Sequence, residues 1–175
     1  MKRQVSWALA AGAAVAAAPA TAVPASAATS GSQTVKGIIV ASGVSGTRTV
    51  ITSVVIFKGA FNGVGRIVEV DNLPTDPDNV NRDDLVFASG SMHIVNTIRD
   101  FTLSANPRSC VFTATIHQTN KIAGGTGQFV SAAGRFTATV TGRGVLPRNR
   151  DGSCDSSRDP LHEVDMITAT GMLSF

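Results

Sequence analysis

The 175-residue chain predicts an all-β domain curled into a single closed antiparallel barrel. Three observations carry that expectation. Short runs rich in Val, Ile and Thr recur along the chain with turn residues between them. From Arg135 the residues alternate, with Arg135, Thr137, Thr139, Thr141 and Arg143 on one face and Phe136, Ala138 and Val140 on the other. That is the period of a half-buried strand. Gly124, Gly125, Gly127 and Gly134 gather where backbone must turn sharply or approach another strand closely, as at the corners of small barrels.

Residues 1–27 read as a secretory signal peptide. Lys2 and Arg3 form a positive start, Val5 to Ala20 is apolar and alanine-rich, and Ala25-Ser26-Ala27 is a small-x-small cleavage site. Pro19 and Pro24 interrupt the apolar stretch, which argues against a retained membrane anchor. The expected product is a secreted chain of about 148 residues, 28–175, forming one domain. Its formal charge falls from +3 to near +1 once Lys2 and Arg3 are removed. No Lys/Arg run and no interleaving of aromatic with basic residues occurs, so no nucleic-acid partner is expected. No membrane association is expected after cleavage either.

The elements follow in order. Thr34 to Val40 and Thr47 to Phe57 form a hairpin, and Lys58 to Gly63 is a turn. Val64 to Asp71 alternates, Val64, Arg66, Val68 and Val70 against Gly65, Ile67, Glu69 and Asp71, and alternation alone leaves the inward face open. Asn72 to Asp84, with Pro74 and Pro77, is a loop. Leu85 to Ile98 reads as one long strand bent at Gly90, continuing through Arg99 to Leu103. Cys110 to His117 is a strand with Cys110, Phe112, Ala114 and Ile116 facing the core. A short strand from Lys121 leads into the glycine corner. Pro147 to Pro160 is a polar loop, and His162 to Phe175 closes the chain as a strand. Cys110 and Cys154, an even pair in an exported chain, read as a disulfide.

Chemistry is constrained largely by what is missing. His93, His117 and His162 have no metal-ligand spacing, and the Asp-rich loops lack the ordered calcium pattern, so no metal is expected. There is no G-x-S-x-G elbow, and Gly124-Gly125-Thr126-Gly127 lacks the lysine and helix of a phosphate loop. What is left is charge within strands. Arg66, Glu69 and His93 are the candidate catalytic residues, able to polarise a carbonyl or shuttle a proton if they face the interior. Each could instead be a structural ion-pair partner, as could Asp71, and a structural pair is the commoner source of such a pattern. Phe87, Phe112 and Phe136 are the candidate ligand-binding residues.

The run Gly124-Gly125-Thr126-Gly127-x-Phe129-x-x-Ala132-x-Gly134, followed by a long strand, resembles the corner shared by plant dirigent proteins and allene oxide cyclases. It is most similar to the bacterial secreted allene oxide cyclase barrel-like proteins. The likeness extends backwards through Val64-Gly65-Arg66 and the strand from Phe87 to Ser91. It implies an eight-stranded calycin-like barrel around a hydrophobic pocket, where reactive small molecules are cyclised or coupled without a cofactor. It also implies a possible homo-oligomer. The chain departs from the dirigent pattern at Ala133, where arginine is usual, and it has no tyrosine.

Two functions fit these residues. One is a cofactor-free cyclase or isomerase holding a hydrophobic small molecule; the other is a non-catalytic secreted barrel that binds a ligand or partner. The interior separates them, since a cavity of about 300 Å³ or more with two or more ionisable groups suits catalysis and a filled barrel does not.

Overall fold

A computed structural model describes residues 29–44 and 47–175. The signal-peptide reading of residues 1–27 therefore lies outside the described residues. Eight strands follow one another: β1 (Ser30–Ser42), β2 (Thr49–Gly59), β3 (Gly63–Val70), β4 (Val80–Phe87), β5 (Gly90–Ala105), β6 (Val111–Gly125), β7 (Ala133–Val145) and β8 (His162–Ser174). Each pairs antiparallel with the next, and β8 returns to β1 from Ser30↔Ser174 to Ser42↔His162, closing the barrel. The expected fold class is the one observed.

The eight strands are divided differently from the sequence reading. Leu85 to Ile98 is not one strand: β4 and β5 form a hairpin across Ala88-Ser89, with Phe87 opposite Gly90. Gly90, at φ +137°, makes the turn rather than a bend within a strand. β4 begins at Val80, so the loop expected to run to Asp84 ends five residues sooner, at Asn79. Conversely, Val111 to Gly125 is one continuous strand where two were expected. The extension through Arg99 to Leu103 is present, with an irregularity between Ile98 and Asp100.

One end of the barrel is plugged by aromatic rings. Phe57, Phe61, Phe87, Phe129, Phe136 and Phe175 pack with centroids 5.0 to 6.4 Å apart. Most pairs are edge-to-face or tilted, the arrangement that ring quadrupoles favour. Gln33, 2% exposed, holds the β2–β3 turn over this plug. Its Oε1 accepts from Phe61 N at 2.8 Å and its Nε2 donates to Phe61 O at 3.0 Å.

The glycine corner explains itself against the β4–β5 turn. Thr126 N donates to Ser91 O at 2.8 Å and Gln128 N to Ser89 O at 3.1 Å. A Cβ on Gly125 would sit 1.9 Å from Ser91 O, and one on Gly127 would sit 2.2 Å from Ser89 O. Backbone meets backbone here, and the single 3₁₀ turn Gly127–Phe129 then drives Phe129 into the plug.

The disulfide joins Cys110 to Cys154. With Phe112, Ala114 and Leu146 it forms a satellite core apart from the barrel interior. No helix among the described residues is long and apolar enough to cross a membrane.

Candidate functional site

Opposite the aromatic plug the interior turns polar, and the register explains how. In β2, Val40 of β1 faces Thr52 while Ala41 faces Val50, leaving Ile51 as an extra residue. Such a bulge reverses which side chains point inward beyond it. Val50 packs on the core and Arg48, two residues further, reaches the barrel mouth.

Arg48 gathers carboxylates from two other strands. Its guanidinium pairs with Glu69 of β3 and with Glu163 of β8, and Nη2 lies 3.3 Å from Asp165 Oδ2. Its backbone N–H donates to Asp159 Oδ2 at 2.9 Å, joining the loop before β8 to the same mouth. Burial works against the Arg48 charge, but the hydrogen bonds and charges of Glu163 and Glu69 outweigh it and hold the group above its ordinary value.

Two carboxyls here titrate unusually high. Burial pushes Asp165 up to about 6, reinforced by the Glu163 charge and opposed by Arg48. Asp83, on the inward face of β4, is also pushed by burial to about 6, although a hydrogen bond from Asn96 opposes the shift. Asn96 Nδ2 donates to Asp83 Oδ2 at 2.6 Å, and Asn120 Nδ2 donates in turn to Asn96 Oδ1.

Behind this mouth lies a cavity of about 50 Å³, its walls including Val55, Phe57, Ile67, Asp83, Asn120 and Phe136. A second hollow, an open cleft of about 510 Å³, separates β2 from β3. These strands pair only from Val55↔Gly65 to Phe57↔Gly63 and then diverge. Ile67 stands between the two spaces and lines both.

The sequence-predicted residues are only partly brought together. Ile67, 6% exposed, settles the inward face of β3, which puts Glu69 at the mouth and Arg66 on the outer surface opposite Val86. His93 also points outward and does not share a face with Leu85 and Phe87, because the Ala88-Ser89 turn pairs it with Asp84 instead. Its Nδ1 lies 2.6 Å from Asp84 Oδ1, with 46% of the side chain exposed. Arg66, Glu69 and His93 thus do not converge. Phe136 lines the cavity, Phe87 belongs to the plug, and Phe112 lies in the satellite core beside the disulfide. Arg48, Asp83, Glu163, Asp165, Asn96 and Asn120 escaped the sequence reading. The signal available for Asp83 was its odd-residue parity with Leu85 and Phe87, hidden by assigning it to a loop.

Among the described residues, no group of three or more His, Cys, Asp or Glu side chains is placed to hold a metal ion. Together these features define a class: a small disulfide-tethered antiparallel barrel, plugged with phenylalanine at one end and lined with carboxylates at the other. No family model, curated protein or solved structure matches the chain.

Proposed function

We propose that the protein acts outside the cell as a ligand-binding barrel, capturing a small, mostly apolar molecule through its polar mouth and carrying out no bond chemistry on it. The observation that carries this reading is the size of the interior, about 50 Å³. Pockets that enclose a whole drug-sized molecule begin at about 300 Å³. A space this small takes a head group or a few waters, while a body can lie in the β2–β3 cleft of about 510 Å³. The outward placement of Arg66 and His93 supports binding over catalysis. Export is supported by the signal-like first 27 residues and by the Cys110–Cys154 bridge, a bond that persists in oxidising compartments.

A cofactor-free, allene oxide cyclase-like isomerase is the second reading, and one observation favours it. Asp83 and Asp165, both titrating near 6, stand at the same mouth as Arg48, so a proton donor, a proton acceptor and a fixed cation share one site.

Native mass spectrometry of the protein purified from its source's culture medium tests the first reading. The expected spectrum carries an adduct that is released by denaturation in organic solvent. Repeated preparations showing only the bare chain mass overturn it, and an adduct that turns during incubation with the protein into a species of the same mass but different chromatographic retention and fragmentation moves the conclusion to the isomerase.

A further inference from the structure

Three of the polar side chains on the cavity wall form a row whose polarity is fixed from one end. Asp83 Oδ2 accepts from Asn96 Nδ2 at 2.6 Å, and an ionised carboxylate can only accept. Asn96 must therefore turn its Oδ1 towards Asn120, where it takes the hydrogen bond from Asn120 Nδ2. This leaves Asn120 Oδ1 as the free end, buried and without a hydrogen-bond partner among the described residues. Each amide thus directs one N–H along the row and keeps a second, and the acceptors left over are Asn120 Oδ1, which has no partner, and the second oxygen of Asp83. Gln118, the other polar residue on the wall, can present either end of its carboxamide. The remaining wall is apolar, with Val55, Ile67, Ile94 and Phe136 among it.

An unpartnered buried amide oxygen on the same wall as a carboxylate selects a guest that brings N–H donors and positive charge. We infer that the ligand of this barrel carries a protonated primary amine, inserted head first, with its ammonium donating to Asp83 and to Asn120 Oδ1. An ammonium offers three donors and no acceptor, which complements this row; an alcohol offers one donor and no charge, and a carboxylate offers only acceptors and repulsion. The apolar part of the guest packs on Ile67 and Phe136. The cavity of about 50 Å³ suits such a head and a short stem. The inference rests on the ligand-binding reading and names the chemical class of what is bound.

Three probes with one body and different heads test it: n-butylamine, n-butanol and butyrate, titrated calorimetrically into the full secreted chain at pH 7.5. The amine is expected to bind about tenfold tighter than the alcohol, the difference a charge-assisted hydrogen bond provides, with butyrate not binding. Asp83→Asn is expected to erase the preference of amine over alcohol while circular dichroism stays native and melting stays cooperative. Asn120→Ser is expected to weaken the amine in the same direction without touching the carboxylate. Equal binding of amine and alcohol, or any preference for butyrate, overturns the inference. So does binding of none of the three, which leaves the row satisfied by water alone. The native mass spectrum separates the two claims: an adduct lacking a basic nitrogen sinks the amine and leaves the binding barrel standing.

Discussion

Ser53 takes the place of a strand pair: its Oγ accepts from Ile67 N at 2.9 Å and donates to Ile67 O at 2.7 Å. Below this point β2 and β3 are paired, and above it they part around the cleft. One hydroxyl therefore closes the seam at the residue that stands between cleft and cavity. Ser53→Ala leaves a backbone donor and an acceptor of a buried residue without partners, a loss of about 1–3 kcal/mol. Urea unfolding should show that loss, and amide exchange at Ile67 should accelerate more than in β6 or β7. Unchanged exchange there would show that water takes over the hydroxyl's role.

Arg48 sets its positive charge among the carboxylates at the mouth, pairing with Glu69, Glu163 and Asp165. Replacing it with Met keeps much of the stem's packing but leaves like charges facing one another. At pH 7.5 the cost should be about 2 kcal/mol, below that of a fully buried pair because the side chain is 24% exposed. Acidification to pH 5 should restore part of it, as neutralised carboxyls cease to repel. A deficit that is the same at both pH values would place the contribution of Arg48 in packing alone.

Stability should fall as pH rises from about 4 to about 7. Asp83 and Asp165 have folded values of about 6, above the ordinary value of 3.8. Between those limits the folded chain holds more protons than the unfolded one, so raising pH favours unfolding. Each group contributes on the order of 2 kcal/mol to that decline. Asp76 and Asp155 act oppositely: Arg82 on Asp76, and Ser157 with Arg158 on Asp155, hold these carboxyls down at about 2. Their contribution is present above pH 4 and disappears as pH falls through 2. Urea midpoints measured from pH 2 to 8 should peak near pH 4 to 5, and Asp83→Asn should flatten the upper limb by about half. A midpoint that rises steadily to pH 8 would contradict the buried placement of both carboxyls.

The corner glycines and a loop glycine make a controlled comparison. Gly127, at φ +58°, faces Ser89 O, where a Cβ would approach to 2.2 Å. Gly152, at φ +87°, has nothing within 4 Å of its Cβ position. Alanine at 152 should cost only the backbone term of about 1 kcal/mol. At 127 the steric clash adds to that term, and Gly127→Ala should lower the melting temperature several-fold more than Gly152→Ala. Similar losses at both sites would mean that the corner yields easily.

Removing the disulfide by Cys110→Ser with Cys154→Ser should cost about 4 kcal/mol for the loop it closes, 44 residues in separation. The loop from Pro147 to Pro160 should then be cut first by protease, leaving the barrel strands intact. Cleavage elsewhere with the loop protected would show that the Arg148–Cys154 bridge and its turn hold the loop unaided.

Alternation and glycine placement by themselves determined that this chain is an antiparallel barrel turned at Gly124 to Gly134, and the cysteine pair was legible because few arrangements are open to a chain's two cysteines. Phe136, Ala138 and Val140 could be assigned inward because their strand has one apolar and one polar face. Where both faces carry apolar residues, as in β3 with Val64, Val68 and Val70 against Ile67, only the partner strands decided the orientation. The site escaped for the same reason. Arg48 turns inward because Ile51 bulges from β2, and His93 turns outward because two unremarkable residues, Ala88 and Ser89, make a hairpin. A strand's period states which residues share a face; only its pairing states which face is inside, and a one-residue step in register moves a charge from solvent to cavity.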